Sequence, residues 1–354
     1  MRTQREKNPP QGPAAPDSSV LRISGLRTCL ETRKGKLYPV DGVDLKIPRG
    51  KIVGLVGESG CGKSMMANSV MGLLPQGGRI SDGEILFCGE DFLSYTAQQR
   101  RELYGDRLTL IFQEPMSSLN PVIKAGPQVA EVLMLHKDLS RDEAKRQVIE
   151  MFRSVGIPEP ERRYNCYPHE LSGGLRQRVM ISAAMICEPD LIIADEPTTA
   201  LDVTIEAQIL QLMRRLQQER GTSILLITHD LGVVAEIASR VIVMYSGRIV
   251  EEAPCAQLFE RPLHPYTRAL LNCIPRMDQK RDTLYAVSGQ VPSPASFPAG
   301  CRFHPRCEHC MDICREQVPD LIRIGNRQVA CHLCGEMREP AADGKDEEAP
   351  NHEA

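Results

Sequence analysis

Short apolar runs alternate with stretches of helical period along most of the chain. VLRIS (20–24), VDLKI (43–47) and KIVGLVG (51–57) read as strands, and a helix from Lys63 to Leu74 follows the last of them. GEILFCGEDF (83–92) reads as a strand pair around a glycine turn. From about Ala125 to Ser154 the pattern is mainly helical, and SRDEAKRQVIEMFRSVG within it opens on a serine cap. LIIAD (191–195) and SILLITHD (223–230) have the length and continuous apolarity of strands buried on both faces. Between them, VTIEAQILQLMRRLQQER puts Ile205, Ile209, Leu212, Met213 and Leu216 on one stripe of an amphipathic helix. VIVMYSGRIVEEA (241–253) predicts a hairpin turning at Ser246-Gly247. Strands alternating with helices predict an α/β core with a mainly parallel sheet. Residues 1–19, rich in Pro, Ala and polar side chains, and 339–354, acidic and small, read as disordered tails.

Chemistry enters with GLVGESGCGKSMM (54–66). Gly57, Gly62, Lys63 and Ser64 fit the spacing of a phosphate-binding loop, with Glu58, Ser59, Gly60 and Cys61 between them. Successive N–H groups would turn inward around a polyphosphate at a helix N-terminus, with Lys63 reaching the β and γ phosphates and Ser64 on Mg²⁺. LIIADEP supplies a carboxylate, Asp195, at the end of a buried strand, where it can hold Mg²⁺ opposite Ser64. Glu196, next along, can polarise an attacking water. His229 ends another buried strand, where it is either structural or a γ-phosphate contact. LSGGLRQRV (171–179) places Ser172, Gly173 and Gly174 ahead of a long helix, a second anion-binding N-terminus in one chain.

As a set and in this order, GESGCGKS, the glutamine of IFQEPMSSLNP, LSGG, LIIADEP, ALD and THD resemble the nucleotide-binding subunits of ATP-binding cassette (ABC) transporters, over about residues 20–335. The resemblance implies a mixed, mainly parallel α/β sheet with an antiparallel β subdomain. The cassette would span 20–258, with a helical insertion at about 113–175, followed by a small Cys-rich region at 259–338. It also implies two cassettes paired head to tail, each ATP lying between the phosphate loop of one and the Leu171-Ser172-Gly173-Gly174 helix of the other. Carried over by position, Lys63 and Ser64 bind phosphate and Mg²⁺, and Gln113 senses Mg²⁺ and water. Asp195 anchors the metal, Glu196 is the general base, Asp202 belongs to the loop at the dimer seam, and His229 is the γ-phosphate switch. Tyr38 is the available aromatic for stacking on adenine. FERPLHPYTRALLNCIPRM (259–277) resembles the segment that follows the cassette in peptide, dipeptide and nickel importers. Leu175, where glutamine is more general, resembles the D-type ATPases of such importers and hints at a heterodimer with a second, paralogous ATPase. The remaining implied partners are two membrane permease subunits, met through the helical insertion, and indirectly an extracytoplasmic binding protein.

Composition narrows this picture. With 42% apolar and 25% charged residues and a formal charge of −3, the chain advertises no basic face, which weighs against nucleic acid as a ligand. No apolar run approaches the roughly 20 residues that cross a bilayer, and the N-terminus lacks a signal-peptide h-region. The expected location is therefore the cytoplasmic face of the membrane, reached through a partner. The competing class, a soluble cassette ATPase acting on nucleic acid or ribosomes, usually has two cassettes or a coiled-coil insertion, and this chain shows one cassette and no long heptad run.

Six of the 13 cysteines fall between positions 301 and 334. The importer resemblance assigns Cys301, Cys307, Cys314 and Cys331 to a [4Fe–4S] cluster, which thiolate ligation suits. Spacing alone offers a rival zinc site in Cys307, Cys310, Cys331 and Cys334. The GCRFHPRC context favours the cluster. Cys61, inside the phosphate loop, is expected to be a small side chain that fits and not a redox control.

Overall fold

The computed structural model describes residues 19–33, 35–112, 118–198, 202–273 and 287–337. Both expected tails lie outside this set except for Ser19, and so does Gln113.

The chain opens with two long antiparallel strands, β1 (Ser19–Thr32) and β2 (Gly35–Pro48), which join β4 (Gly78–Phe87) and β5 (Glu90–Asp91) in a four-stranded sheet of order β2-β1-β4-β5. VLRIS and VDLKI are thus only the most apolar parts of strands 14 residues long. Their outer halves carry charged residues that a search for buried runs passes over. The turn between β4 and β5 is Cys88-Gly89, both at positive φ, as a two-residue hairpin requires.

The second sheet carries the chemistry. It contains β3 (Ile52–Val56), β6 (Leu108–Ile111), β7 (Leu191–Asp195), β8 (Ser223–Thr228), β9 (Arg240–Tyr245), β10 (Arg248–Pro254), β11 (Ile322–Ile324) and β12 (Arg327–Val329), in the order β11-β12-β10-β9-β3-β8-β7-β6. Strands β6, β7, β8, β3 and β9 run parallel, and β10, β12 and β11 continue the sheet in antiparallel fashion. The mixed, mainly parallel sheet and separate antiparallel subdomain expected from the motifs are both present. Because successive strand residues point to opposite faces, each central strand feeds two cores. Val53, Leu55, Ile193, Leu225 and Ile227 pack toward the antiparallel sheet and α1 (Lys63–Val70). Val56, Ile192, Ala194, Ile224 and Leu226 pack toward a helical layer.

That layer starts as two helices where the sequence pattern reads as one stretch. After α2 (Ala97–Leu103) come α3 (Ala125–Lys137) and α4 (Arg141–Ser154), separated by Asp138 at positive φ and restarted by Ser140, whose hydroxyl and Glu143 form a capping box. The short α5 (Pro160–Tyr164) leads to α6 (Gly173–Met185), which packs on α3, α4 and β6. On α7 (Val203–Arg220), Ile209, Leu212, Met213 and Leu216 are buried and Ile205 packs at the margin, as the stripe predicts. The short strand β6 and α8 (Leu231–Ile237) carry no motif in the sequence and were not anticipated from it. Ser246-Gly247 makes the β9–β10 turn with both residues at positive φ.

After β10, α9 (Cys255–Glu260) and α10 (Pro265–Asn272) lead to a loop-rich segment with α11 (Asp312–Glu316) and the β11–β12 ribbon. This segment is attached by a fully buried carboxylate. Glu251 on β10 accepts hydrogen bonds from the Leu263 N–H (2.9 Å), the His264 N–H (2.8 Å) and the Arg327 guanidinium (2.6 Å).

Candidate functional site

Strand order and register bring the sequence candidates to one edge. β3 lies between β8 and β9, and β7 lies beyond β8; Val56 pairs with Thr228 and Val243, and Asp195 pairs with Ile227. The phosphate loop, Asp195-Glu196 and His229 therefore leave the sheet together at its carboxyl end, where ligands of open α/β sheets bind.

The loop itself is built on close approach. A Cβ on Gly57 would lie 2.3 Å from the Met244 carbonyl oxygen, and one on Gly62, at φ 111°, would lie 2.5 Å from that of Pro39. No other residue type fits either place. Lys63 is buried, its ammonium donating to the carbonyls of Gly57 (2.7 Å) and Glu58 (3.1 Å) across the loop. Gly62 caps α1 without a side-chain hydrogen bond, so no side chain competes for the first-turn N–H groups. Ser59, Gly60 and Ser64 are exposed on the loop's open side. Cys61 is buried and burial pushes its thiol up, which fits the expected packing role.

Asp195 is 8% exposed, and its Oδ1 finds no hydrogen-bond partner among the described residues. Burial pushes its pKa up, opposed by the Ser64 hydroxyl it faces and by Lys63, and reinforced by Glu196. A buried carboxylate oxygen left unpaired beside an exposed hydroxyl is the donor set of a hard cation, so Asp195 and Ser64 fit Mg²⁺. Glu196 follows at φ 46°, an uncommon conformation for a side-chain-bearing residue, with its N–H fixed on the Ile227 carbonyl (2.8 Å). Its Oε1 is 3.2 Å from Nδ1 of His229, whose ring is largely exposed. The pair thus presents a half-buried acceptor and an exposed imidazole at the mouth of the loop.

Leu171 is buried, while Ser172 and Gly173 are exposed at the start of α6, where the Ser172 hydroxyl accepts from the Leu175 N–H (3.4 Å). Leu175 packs against the main core, a sufficient reason for an apolar residue there. The sequence reading missed Gln177, which lies within LSGGLRQRV but was given no role there; it is fully buried, and its Nε2 donates to the Pro197 carbonyl (2.5 Å) and ties the LSGG helix to the strand-end loop. Its only signal is a polar residue on an apolar helix face. Asp202 stands at the N-cap of α7 without a side-chain capping bond. Tyr38 is half-buried on β2, one residue before the Pro39 that lines the loop, with the Arg27 guanidinium 5.2 Å from its ring centre.

The six clustered cysteines are not assembled as a centre for one ion: among the described residues no group of three or more His, Cys, Asp or Glu side chains is placed to hold a metal. For the zinc set the reason is local. Cys334 is buried with Leu263 and Val329 beside Cys331, in a cluster separate from the main core on which Cys307 packs. Cys331 and Cys334 interact as a pair through their thiols, which lowers the pKa of Cys334 and raises that of Cys331. In the other set, the Cys301 N–H donates to the Cys314 carbonyl (2.8 Å), and Cys301 and Cys307 both pack on the main core. Burial raises the pKa of Cys301, with added contributions from the Cys314 and Cys307 charges, and its own charge acts on Cys331.

Comparisons with known proteins bear on the family and the fold. Residues 40–199 match the family model described as ABC transporter, and residues 250–314 match that described as oligopeptide/dipeptide transporter, C-terminal region. The oligopeptide transport ATP-binding protein AppD of Bacillus subtilis is 50% identical over 318 residues, covering 89% of this chain and 97% of that protein. The dipeptide transport ATP-binding protein DppD of Haemophilus influenzae is 43% identical over 314 residues, covering 89% and 95%. Among solved structures, the dimeric post-hydrolysis state of the ATP-binding cassette MJ0796 bound to ADP and Pi superposes with a TM-score of 0.60 at 27% identity, covering 66% of this chain and 98% of that one.

Proposed function

The chain belongs to the ATP-binding subunits of oligopeptide/dipeptide ABC transporters and hydrolyses ATP, and from that membership we propose that it powers import of di- or oligopeptides through a membrane permease. The observation that carries the reading is the single strand edge holding the phosphate loop, the Asp195 carboxylate with its Oδ1 unpaired among the described residues, and the Glu196–His229 pair, followed in the same chain by the importer-type segment.

In this reading the loop N–H groups and Lys63 hold the phosphates, and Asp195 and Ser64 hold Mg²⁺, which when bound neutralises charge on the phosphate oxygens. Glu196 orients a water and accepts its proton, and His229, held on Glu196, turns toward the γ-phosphate. Gln113, outside the described residues, would link this site to the helical insertion. Tyr38 would stack on adenine. Leu171, Ser172, Gly173 and Gly174 would close on the nucleotide of a second cassette, with Asp202 at the seam; that second cassette is a paralogous ATPase subunit.

Permease contact falls to the groove between sheet and helical layer, where Leu73 and Phe112 are exposed beside Leu119, Val132 and Met180. Among the described residues no helix is long and apolar enough to cross a membrane, so the subunit would sit at the cytoplasmic face by docking there. A [4Fe–4S] cluster on Cys301, Cys307, Cys314 and Cys331 remains part of this proposal on the thiolate ligation that such clusters use, with Cys301 and Cys314 joined through a backbone hydrogen bond (2.8 Å). Anaerobic purification should give brown protein with about four irons per chain, whereas colourless protein with stoichiometric zinc would end that assignment. The import function is tested by uptake of labelled di- and oligopeptides in a strain lacking this subunit and by copurification. Lost uptake and two copurifying permease subunits are expected; intact uptake with ribosome or DNA association would overturn it.

A further inference from the structure

Three cassette carboxylates take partners from the chain beyond residue 259. Glu251 is met by Arg327 and the Leu263 and His264 N–H groups. Asp41, on β2, is held between Arg27 (2.6 Å), Arg248 (2.9 Å) and Arg302, and Arg302 also donates to the Ser246 carbonyl at 2.5 Å. The third, Glu58, lies inside the phosphate loop. Its N–H donates to the Tyr266 hydroxyl (2.9 Å), and its carboxylate receives both terminal nitrogens of Arg306 (2.6 and 2.9 Å). Arg306 is 5% exposed and is fixed in turn by the carbonyls of Ser288 (2.7 Å) and Val287 (3.0 Å). Tyr266 and Phe303 are buried in one aromatic cluster with Tyr245, so the hydroxyl that faces Glu58 is held on a rigid base.

The charges give this contact a purpose. A carboxylate in a loop that receives a polyphosphate repels its ligand, and a bidentate guanidinium at the same carboxylate cancels that repulsion while fixing the side chain. The Tyr266 bond pins the first peptide after Gly57, from which the remaining N–H groups of the loop take their direction. We propose that Tyr266 and Arg306 are positioning residues for ATP: the importer-type segment braces the phosphate loop at Glu58, fixing its backbone and neutralising its carboxylate. The proposal rests on the ATP-site reading above and assigns the C-terminal region a part in nucleotide affinity.

The test measures binding of a fluorescent ATP analogue to the full chain with Mg²⁺, and the KM and kcat for ATP in the assembled transporter. Arg306→Ala should weaken binding and raise KM about 10-fold, more than it lowers kcat, because it bares the Glu58 charge. Arg306→Lys should lose less. The double variant Glu58→Gln/Arg306→Ala should recover most of the loss, a rescue that a purely structural arginine would not allow. Tyr266→Phe, which keeps the ring, should raise KM several-fold. Affinity within twofold of wild type in Arg306→Ala, or no recovery in the double variant, overturns the proposal; if Arg306→Ala does not fold, unchanged affinity in Tyr266→Phe overturns it. Lys63→Ala separates the two readings. If that variant binds the analogue normally, the ATP-site assignment itself fails; if it loses binding while Arg306→Ala and Tyr266→Phe keep theirs, only the brace is wrong.

Discussion

The carboxyl edge of the parallel sheet and the segment beyond residue 259 are both dense in charged side chains, yet they handle charge in opposite ways. At the edge, groups are left without partners among the described residues: Asp195 Oδ1 is unpaired and buried, and α1 starts with no side-chain cap. Beyond residue 259, Arg302, Arg306 and Arg327 each close on a carboxylate of the cassette, and His264 takes the Tyr266 N–H at 3.0 Å. Leaving a buried carboxylate oxygen unpaired is costly unless a ligand completes it, whereas satisfied ion pairs fix one arrangement of a chain. One region is built to receive something and the other to hold something still.

This contrast can be broken most severely at Glu251. Glu251→Ala leaves Arg327 buried without its carboxylate and two N–H groups without acceptors, and should cost about 3–5 kcal/mol in denaturant unfolding of the full chain. A loss under about 1 kcal/mol would show that the segment is not fixed there. On the receiving side, Asp195→Asn should stabilise the empty fold or leave it unchanged, since it removes a desolvated charge, while lowering Mg²⁺-supported ATP turnover by about 10²-fold. Equal turnover would mean that the orphaned oxygen has another purpose.

The effect that is smallest near neutral pH concerns the pH dependence itself. Burial, reinforced by Arg268, pushes the pKa of His264 down to about 3, so the folded chain keeps a neutral imidazole where the unfolded chain takes up a proton near 6.5. Acid therefore favours the unfolded state: this contribution is complete above about pH 6.5 and is lost as pH falls toward 3. His264→Asn keeps an acceptor for the Tyr266 N–H but does not titrate. It should flatten the pH dependence of stability in that window by up to about 1.4 kcal/mol per pH unit. An unchanged slope would move the proton uptake to another group.

Much of the receiving edge was legible in the sequence because its residues sit at fixed distances along short segments. Gly57, Lys63 and Ser64 are spaced by one turn and one helix start, and Asp195 and His229 each end an apolar run. Parallel pairing then carries them to one place. The holding side was read as cysteine chemistry, and its arginines were passed over. Arg306 and Glu58 are 248 positions apart, and nothing in either local pattern announces the other. Gln177 was hidden for the same reason. The long outer halves of β1 and β2 escaped because they are held by pairing with each other and not by burial.

The central claim is that this edge hydrolyses ATP with Glu196 as the base. It is tested most directly by phosphate release from the complete transporter carrying Glu196→Gln, beside nucleotide binding by the same preparation. Binding should be retained while turnover falls about 10²-fold or more. Hydrolysis at the wild-type rate would contradict the claim.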